Sequence, residues 1–190
     1  MSPTSLSASR RGILAAAAAG AIGTLPGTPR AATEDSEKGR PVMATRHAAD
    51  EAAIRQLIDK SVEAIRAMDL GALKACFAPD IVSFDVGPQL ESVGVAAKMQ
   101  NWVLAFTVFQ PPIGYEYRDL AITVGDEVAF AHSFNRLSGT MKAGNVHRIG
   151  PWVRYTGAYR KVHGAWLIAH DHVSTPINVM TGQALMNLEP

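Results

Sequence analysis

The clearest pattern along the chain is a run of apolar residues at helical spacing. Ile54, Leu57, Ile58, Val62, Ile65 and Met68 fall on one face of a helix over residues 50–68. Asp50 suits the start of that helix, and Asp69 with Gly71 marks its end. A short second helix over 70–77 would bury Leu73, Cys76 and Phe77 before Pro79 and Asp80 break the chain. Residues 81–86 read as a strand. A third helix over 93–108 carries Val95, Met99, Trp102, Val103 and Phe106 on one face, and Pro111-Pro112 stops it. Four strands follow, over 114–124, 127–139, 148–162 and 165–174. Gly125-Asp126 and His163-Gly164 supply tight turns, and Ala143-Gly144-Asn145 a longer loop. Helices followed by a run of antiparallel strands give an α+β layout.

Composition narrows the class. The chain has 190 residues, 47% hydrophobic and 18% charged, which fits one globular domain with a short extra segment. A formal net charge of +1 argues against nucleic acid as the main partner, because phosphate binding leaves a basic surplus. The single cysteine, Cys76, excludes an intrachain disulfide and a cysteine-rich zinc site. In its apolar setting it reads as a small core residue.

The whole-chain charge averages two unlike parts. Residues 1–32 hold Arg10, Arg11 and Arg30 and no acid, and 18 uncharged residues separate Arg11 from Arg30. A positive start before a weakly apolar run has the layout of an export signal. Ser9-Arg10-Arg11-Gly12-Ile13-Leu14 resembles the twin-arginine motif. Pro26, Pro29 and four glycines make the stretch a poor membrane-spanning helix. The expectation is a signal over 1–32, a flexible polar leader over 33–47, a domain over 48–176 and a C-terminal tail over 177–190. Without residues 1–32 the chain keeps 15 basic and 17 acidic residues, about −2. The expected product is periplasmic or secreted, with no membrane contact once the signal is removed.

The order of elements resembles the nuclear transport factor 2-like superfamily. That group includes SnoaL-like cyclases, ketosteroid isomerases and the calcium/calmodulin-dependent kinase association domain. The residues that carry the resemblance are Asp80-Ile81-Val82-Ser83-Phe84-Asp85, Gly125-Asp126-Glu127-Val128-Ala129-Phe130-Ala131-His132, Trp152-Val153-Arg154, and Gly164-Ala165-Trp166 through Val173-Ser174. They span about residues 48–176 and point to the SnoaL-like branch. The resemblance implies a conical fold, with a strongly curved antiparallel sheet wrapped by about three N-terminal helices. It also implies a deep cavity and a homodimer built through the outer sheet face. It does not name a reaction, because the fold hosts isomerases, cyclases, dehydratases, binders and assembly hubs.

Candidate chemistry begins at Asp85. On a strand it shares a face with Ser83. If that face lines a dry cavity, Asp85 suits proton abstraction beside a carbonyl. Ketosteroid isomerase, a relative by resemblance, uses an Asp base in this way. A structural Asp in the turn before Gly87-Pro88 is the competing account. His132 and Arg136 lie four residues apart, on one strand face with Phe134. His132 suits an acid, base or donor, or a satisfied core histidine. Arg136 suits bidentate recognition of a carboxylate or enolate, or a surface ion pair. The kinase association domains carry a pocket arginine on this face, but it aligns with Phe134.

On the last strand, Trp166, Ile168, His170, His172 and Ser174 form one face and Leu167, Ala169, Asp171 and Val173 the other. Both faces begin apolar and turn polar, so periodicity leaves the inward face open. The resemblance favours the odd set and Asp171 as a ligand contact. The even set would bring in His170 and His172, a candidate metal pair or a hydrogen-bonded pair at a dimer interface. Tyr115, Tyr117, Trp152 and Tyr155 supply aromatic lining for a small planar or cyclic ligand, or plain core. No glycine-rich phosphate loop lies outside the export segment, so no cofactor is expected.

Two functions remain. One is a cofactor-independent isomerase, cyclase or dehydratase of the ketosteroid isomerase-like or SnoaL-like kind. It would use Asp85 and His132 for catalysis, with Arg136, Tyr117, Trp152, Tyr155 and Asp171 holding the substrate. The other is a non-catalytic binder of a small acidic metabolite, or a dimeric assembly module.

Overall fold

The computed structural model describes residues 40–190. The expected export segment and the start of the leader lie outside the described residues. Three helices come from the first half of the described chain: α1 (Arg40–Arg66), α2 (Leu70–Lys74) and α3 (Val95–Val108). Seven strands form one sheet: β1 (Phe77–Phe84), β2 (Ser92–Val93), β3 (Gly114–Val124), β4 (Val128–Thr140), β5 (His147–Ile149), β6 (Val153–Val162) and β7 (Ala165–Ser174). Their order is β2-β1-β7-β6-β4-β3, with β5 paired to β4. The sheet is curved and unclosed, with the helices at its N-terminal side. One pairing departs from the antiparallel expectation, since β1 runs parallel to β7. No helix among the described residues is long and apolar enough to cross a membrane.

The expected apolar stripe of α1 is its buried face, with Ile54, Ile58, Val62 and Ile65 inside. The helix begins at Arg40, so residues 40–47 of the expected leader are helical. Asp50 therefore does not cap the helix start. Met68 adopts a left-handed backbone (φ 55°) after α1, and Asp69 then caps α2 by accepting from the Ala72 N–H at 2.9 Å. Leu73, Cys76 and Phe77 are buried as the sequence predicts, although Phe77 already belongs to β1. The expected strand 148–162 is two strands. Gly150-Pro151 interrupts it, where the Gly150 N–H donates to Leu137 O at 2.8 Å. A side chain at 150 would sit 2.9 Å from that carbonyl, so only glycine fits.

Two one-residue bulges, together with a larger register shift in β1 between Phe77 and Val82, shape the sheet. In β3 the register shifts between Arg118 and Ala121, where Asp119 has φ 53°. In β7 it shifts around Ala169: Ile168 opposes Tyr159, and His170 opposes Ala158. Each bulge adds one residue, bends its strand and reverses which parity faces inward. On β7 this makes Trp166, Ile168 and Asp171 all buried, although Asp171 has the opposite parity to the other two. Sequence alternation left that face open because no single alternation exists there.

The core lies between the concave sheet face and the helices. α1 is tied to the far end of the sheet through Asp50. Its carboxylate accepts from Trp166 Nε1 at 2.9 Å and from Lys161 Nζ at 3.0 Å. The Trp166 hydrogen bond, followed by Lys161, holds the Asp50 pKa below the ordinary carboxylate value despite partial burial. A depressed folded-state pKa contributes stability above the unfolded value, which is lost as pH falls through the folded value. Replacing Asp50 with Asn is expected to cost about 1–3 kcal/mol at neutral pH. The variant's denaturant midpoint should also change less than the wild type's as pH drops below the carboxylate range. Parallel unfolding curves at neutral and acid pH test this.

Candidate functional site

A buried lysine organises the site. Lys98 stands in the first turn of α3 and points into the sheet, with 2% of its side chain exposed. Its Nζ lies 2.8 Å from Asp171 Oδ2, 3.0 Å from Asp85 Oδ2 and 3.0 Å from Ser83 Oγ. An ammonium has three N–H donors, so all three are committed. Burial alone would lower the Lys98 pKa. The Asp171 and Asp85 carboxylates outweigh it and hold the ammonium above its ordinary value. Local structure explains the meeting. Ser83 and Asp171 are register partners across the parallel β1–β7 pair, and α3 packs over β1.

The two carboxylates are not equivalent. Asp85 has both oxygens occupied, Oδ2 by Lys98 and Oδ1 by the Val86 N–H at 2.8 Å. Its side chain is 22% exposed and also lines an open groove of about 690 Å³ with Phe84, Leu90 and His172. It is thus both a charge partner and a turn former. Asp171 is 3% exposed, and its Oδ1 has no hydrogen-bond partner in the protein.

Asp171 lines a separate cavity of about 40 Å³ between α1, α3 and the concave sheet face. Tyr115, Tyr155 and Tyr159 form much of its wall, with Ser133 and Asn135 between them. Asn135 Nδ2 donates to Tyr115 Oη at 2.9 Å, and Ser133 Oγ donates to Asn135 Oδ1 at 2.7 Å. The Tyr155 and Tyr159 rings close over Gly157. A Cβ there would lie 2.7 Å from Tyr155 Oη and 3.0 Å from Tyr159 Oη. Burial pushes the Tyr159 hydroxyl up to about 12 and raises Tyr115 and Tyr155 as well. All three stay neutral near pH 7 and can act as donors. Among the described residues, three buried side-chain polar atoms lack a partner: Trp102 Nε1, Tyr159 Oη and Asp171 Oδ1. All three residues line this cavity.

The sequence expectations divide. Asp85, Asp171, Tyr117 and Tyr155 are brought to the cavity or to its lysine. Tyr117 lines the rim and donates to Asp59 on α1 at 2.8 Å. His132 and Arg136 do not join them. The inward residues of β4 are Ala129, Ala131, Ser133 and Asn135, so the even set, Phe134 included, faces outward. Arg136 pairs with Glu116 at 2.7 Å and stacks over Trp152 at 4.3 Å. Trp152 is buried, but under Arg118, Arg136 and the C-terminal tail, where Nε1 donates to Glu189 at 2.9 Å. It does not line the cavity, so a convergence of Asp85, His132 and Arg136 is overturned. His170 and His172 share the outer side with Phe84, each packed edge-on against its ring. His170 Nδ1 bonds Val82 O at 2.7 Å, and no cluster of three metal-ligating side chains occurs among the described residues.

Lys98 escaped the sequence reading, although its signal was present. Val95, Met99, Trp102 and Phe106 define an apolar face, and Lys98 lies inside it. A charge on a buried stripe needs an opposite charge close by. Replacing Lys98 with Met leaves the buried Asp171 carboxylate without its cation, removes that of the half-buried Asp85 as well, and is expected to cost about 3–5 kcal/mol. Adding Asp85→Asn and Asp171→Asn should recover part of that loss. Chemical denaturation of the single and triple variants measures both effects.

The comparisons with known proteins agree with this architecture. The SnoaL-like domain model matches residues 54–178. No curated protein matches the chain. An NTF2-like protein of unknown function from Pseudomonas putida KT2440 is 32% identical, with 75% of this chain and 98% of that one covered at a TM-score of 0.68. A type 2 hexachlorocyclohexane dehydrochlorinase is similar at 14% identity, and an NTF2-like protein from Novosphingobium aromaticivorans at 15% identity over 73% of this chain. For the dehydrochlorinase the cover is 76% of this chain and 90% of that one, with a TM-score of 0.61. For the Novosphingobium protein it is 90% of that chain, with a TM-score of 0.59. At these identities the last two show the fold alone. The family match, the curved sheet and the helices at its N-terminal side place the chain in the SnoaL-like domain family, within the nuclear transport factor 2-like superfamily.

Proposed function

We propose that the domain binds a small organic molecule in the tyrosine-lined cavity and removes a proton from a carbon beside a carbonyl, with Asp171 as the base. One observation carries this. The three buried polar atoms without partners all belong to residues of one cavity wall. Buried polar groups are nearly always paired, so such a concentration marks a site built for a ligand's polar atoms. Asp171 supplies an acceptor fixed through its other oxygen by Lys98. Tyr159 Oη and Trp102 Nε1 supply neutral donors for the oxygen that gains charge.

The proposed step balances simply. Asp171 Oδ1 takes the proton, the C–H electron pair moves toward the carbonyl, and the oxygen becomes an enolate held by the donors. Return of the proton to another carbon gives an isomerase, and loss of a leaving group gives a lyase. The fold's occurrence in a dehydrochlorinase supports this class by analogy only. Asp85 has no oxygen left to take the proton, because both are engaged.

Deuterium wash-in tests the proposal without a known substrate. Small ketones and hydroxy ketones are incubated with the protein in deuterated buffer, and loss of α-proton signals is followed by NMR. The wild type is expected to accelerate exchange, and Asp171→Asn to lower that rate by about 10²–10⁴-fold. A folded Asp171→Asn variant that exchanges as fast as the wild type rejects Asp171 as the base. Binding without exchange would make the cavity a carrier site.

Export is proposed on separate ground, the Ser9-Arg10-Arg11 motif and the uncharged run after it. Replacing Arg10 and Arg11 with Lys should strand the full-length chain in the cytoplasm of a twin-arginine-competent host. Cell fractionation reads this, and unchanged export of the double variant would reject the route.

A further inference from the structure

We infer that the cavity selects an uncharged ligand, one that offers oxygen acceptors to Tyr159 and Trp102 and a donor or acidic hydrogen to Asp171, and that it excludes anions. This rests on the cavity being a ligand site and adds the class of molecule it takes. Among the described residues, Asp171 is the only charged side chain on the cavity wall. The nearest cation cannot serve an anionic ligand. Each of the three Lys98 N–H donors is already taken, by Ser83, Asp85 and Asp171. One ammonium between two carboxylates leaves one negative charge uncompensated. Arg118 and Arg136, on neighbouring strands, stack over Trp152 outside the cavity. The expected capture of an acidic metabolite by Arg136 therefore has no place here. An anion entering the cavity would lose its water and meet a carboxylate, with no free cation on the wall among the described residues.

The remaining polar groups define the complement. Tyr159 Oη and Trp102 Nε1 are donors without partners, and Asp171 Oδ1 is an acceptor without one. A cavity of about 40 Å³ holds a few non-hydrogen atoms, or the reactive end of something longer. A small hydroxy ketone or hydroxy aldehyde meets each requirement.

The Trp102 indole N–H is a built-in reporter. The chain has three tryptophans, and the other two indoles are engaged, Trp152 with Glu189 and Trp166 with Asp50. Two probes of equal heavy-atom count are titrated into the ¹⁵N-labelled protein at neutral pH: hydroxyacetone, which is neutral, and glycolate, which is anionic. Trp102→Phe assigns the reporting peak. Hydroxyacetone is expected to move it with a half-saturation at least about tenfold lower than glycolate, while the other two indole peaks stay fixed. In Asp171→Asn the gap between the two probes should narrow. Glycolate that moves the peak at equal or lower concentration overturns the exclusion of anions but leaves the cavity as a ligand site. If neither probe moves it, the cavity is not a ligand site, and this inference falls with it. A gap unchanged in folded Asp171→Asn would overturn the role given to the Asp171 charge.

Discussion

The architecture of the site depends on one ammonium held out of water between two carboxylates. Lys98 comes from α3, Asp85 from the residue just after β1 and Asp171 from β7. A lone buried charge of this kind would cost several kcal/mol, so the three elements can close only with all partners in register. The requirement is directional as well as electrostatic. Ser83 takes the third N–H, and its pairing opposite Asp171 ties the triad to the parallel β1–β7 register. A slip of one residue in either strand would turn Ser83 or Asp171 away from Lys98.

That arrangement also shapes the cavity wall. Lys98 occupies one oxygen of Asp171 and leaves the other on the cavity side, unpaired. Around it the wall is aromatic and neutral. Burial keeps the tyrosine hydroxyls protonated, so they donate without adding charge. Gly157 matters here because the space its missing side chain leaves is where the Tyr155 and Tyr159 hydroxyls converge. The result is a small chamber with a fixed acceptor and fixed donors, walled mostly by apolar and aromatic side chains, where electrostatic effects are stronger than in water. The lysine is a positioning residue in this scheme, since its own N–H groups have no vacancy for a ligand.

The outer side of the sheet follows a different logic. Its exposed residues include Val128 and Phe130, and Arg136 there pairs with Glu116 and stacks on Trp152. His132 and Arg136 belong there because the alternation of β4 sends Ala131, Ser133 and Asn135 inward. Small and neutral side chains on the inner face of β4 leave room for the tyrosines of β3 and β6. The position of His132 and Arg136 was open in the sequence because both faces of β4 carry apolar and polar residues. Only the packing of helices against one side distinguishes them.

Much of the fold was legible from spacing alone. The α1 stripe, the proline stop after α3, the Gly125-Asp126 and His163-Gly164 turns and the α+β order follow from local preferences that tertiary contacts did not override. The pairing of Ser83 and Asp85 toward one face also followed from strand alternation. What local pattern could not supply was anything that depends on an irregularity or on a distant partner. The bulge at Ala169 turns Asp171 to the same side as Ile168, and no alternation rule predicts one extra residue. Lys98 on an apolar stripe signalled a buried charge, but its partners lie 13 and 73 residues away in sequence. The sequence therefore determined the elements, because each is stabilised by neighbours a turn or a strand repeat away. The tertiary structure decided the site, because a buried ion pair and a cavity exist only once α3, β1 and β7 meet.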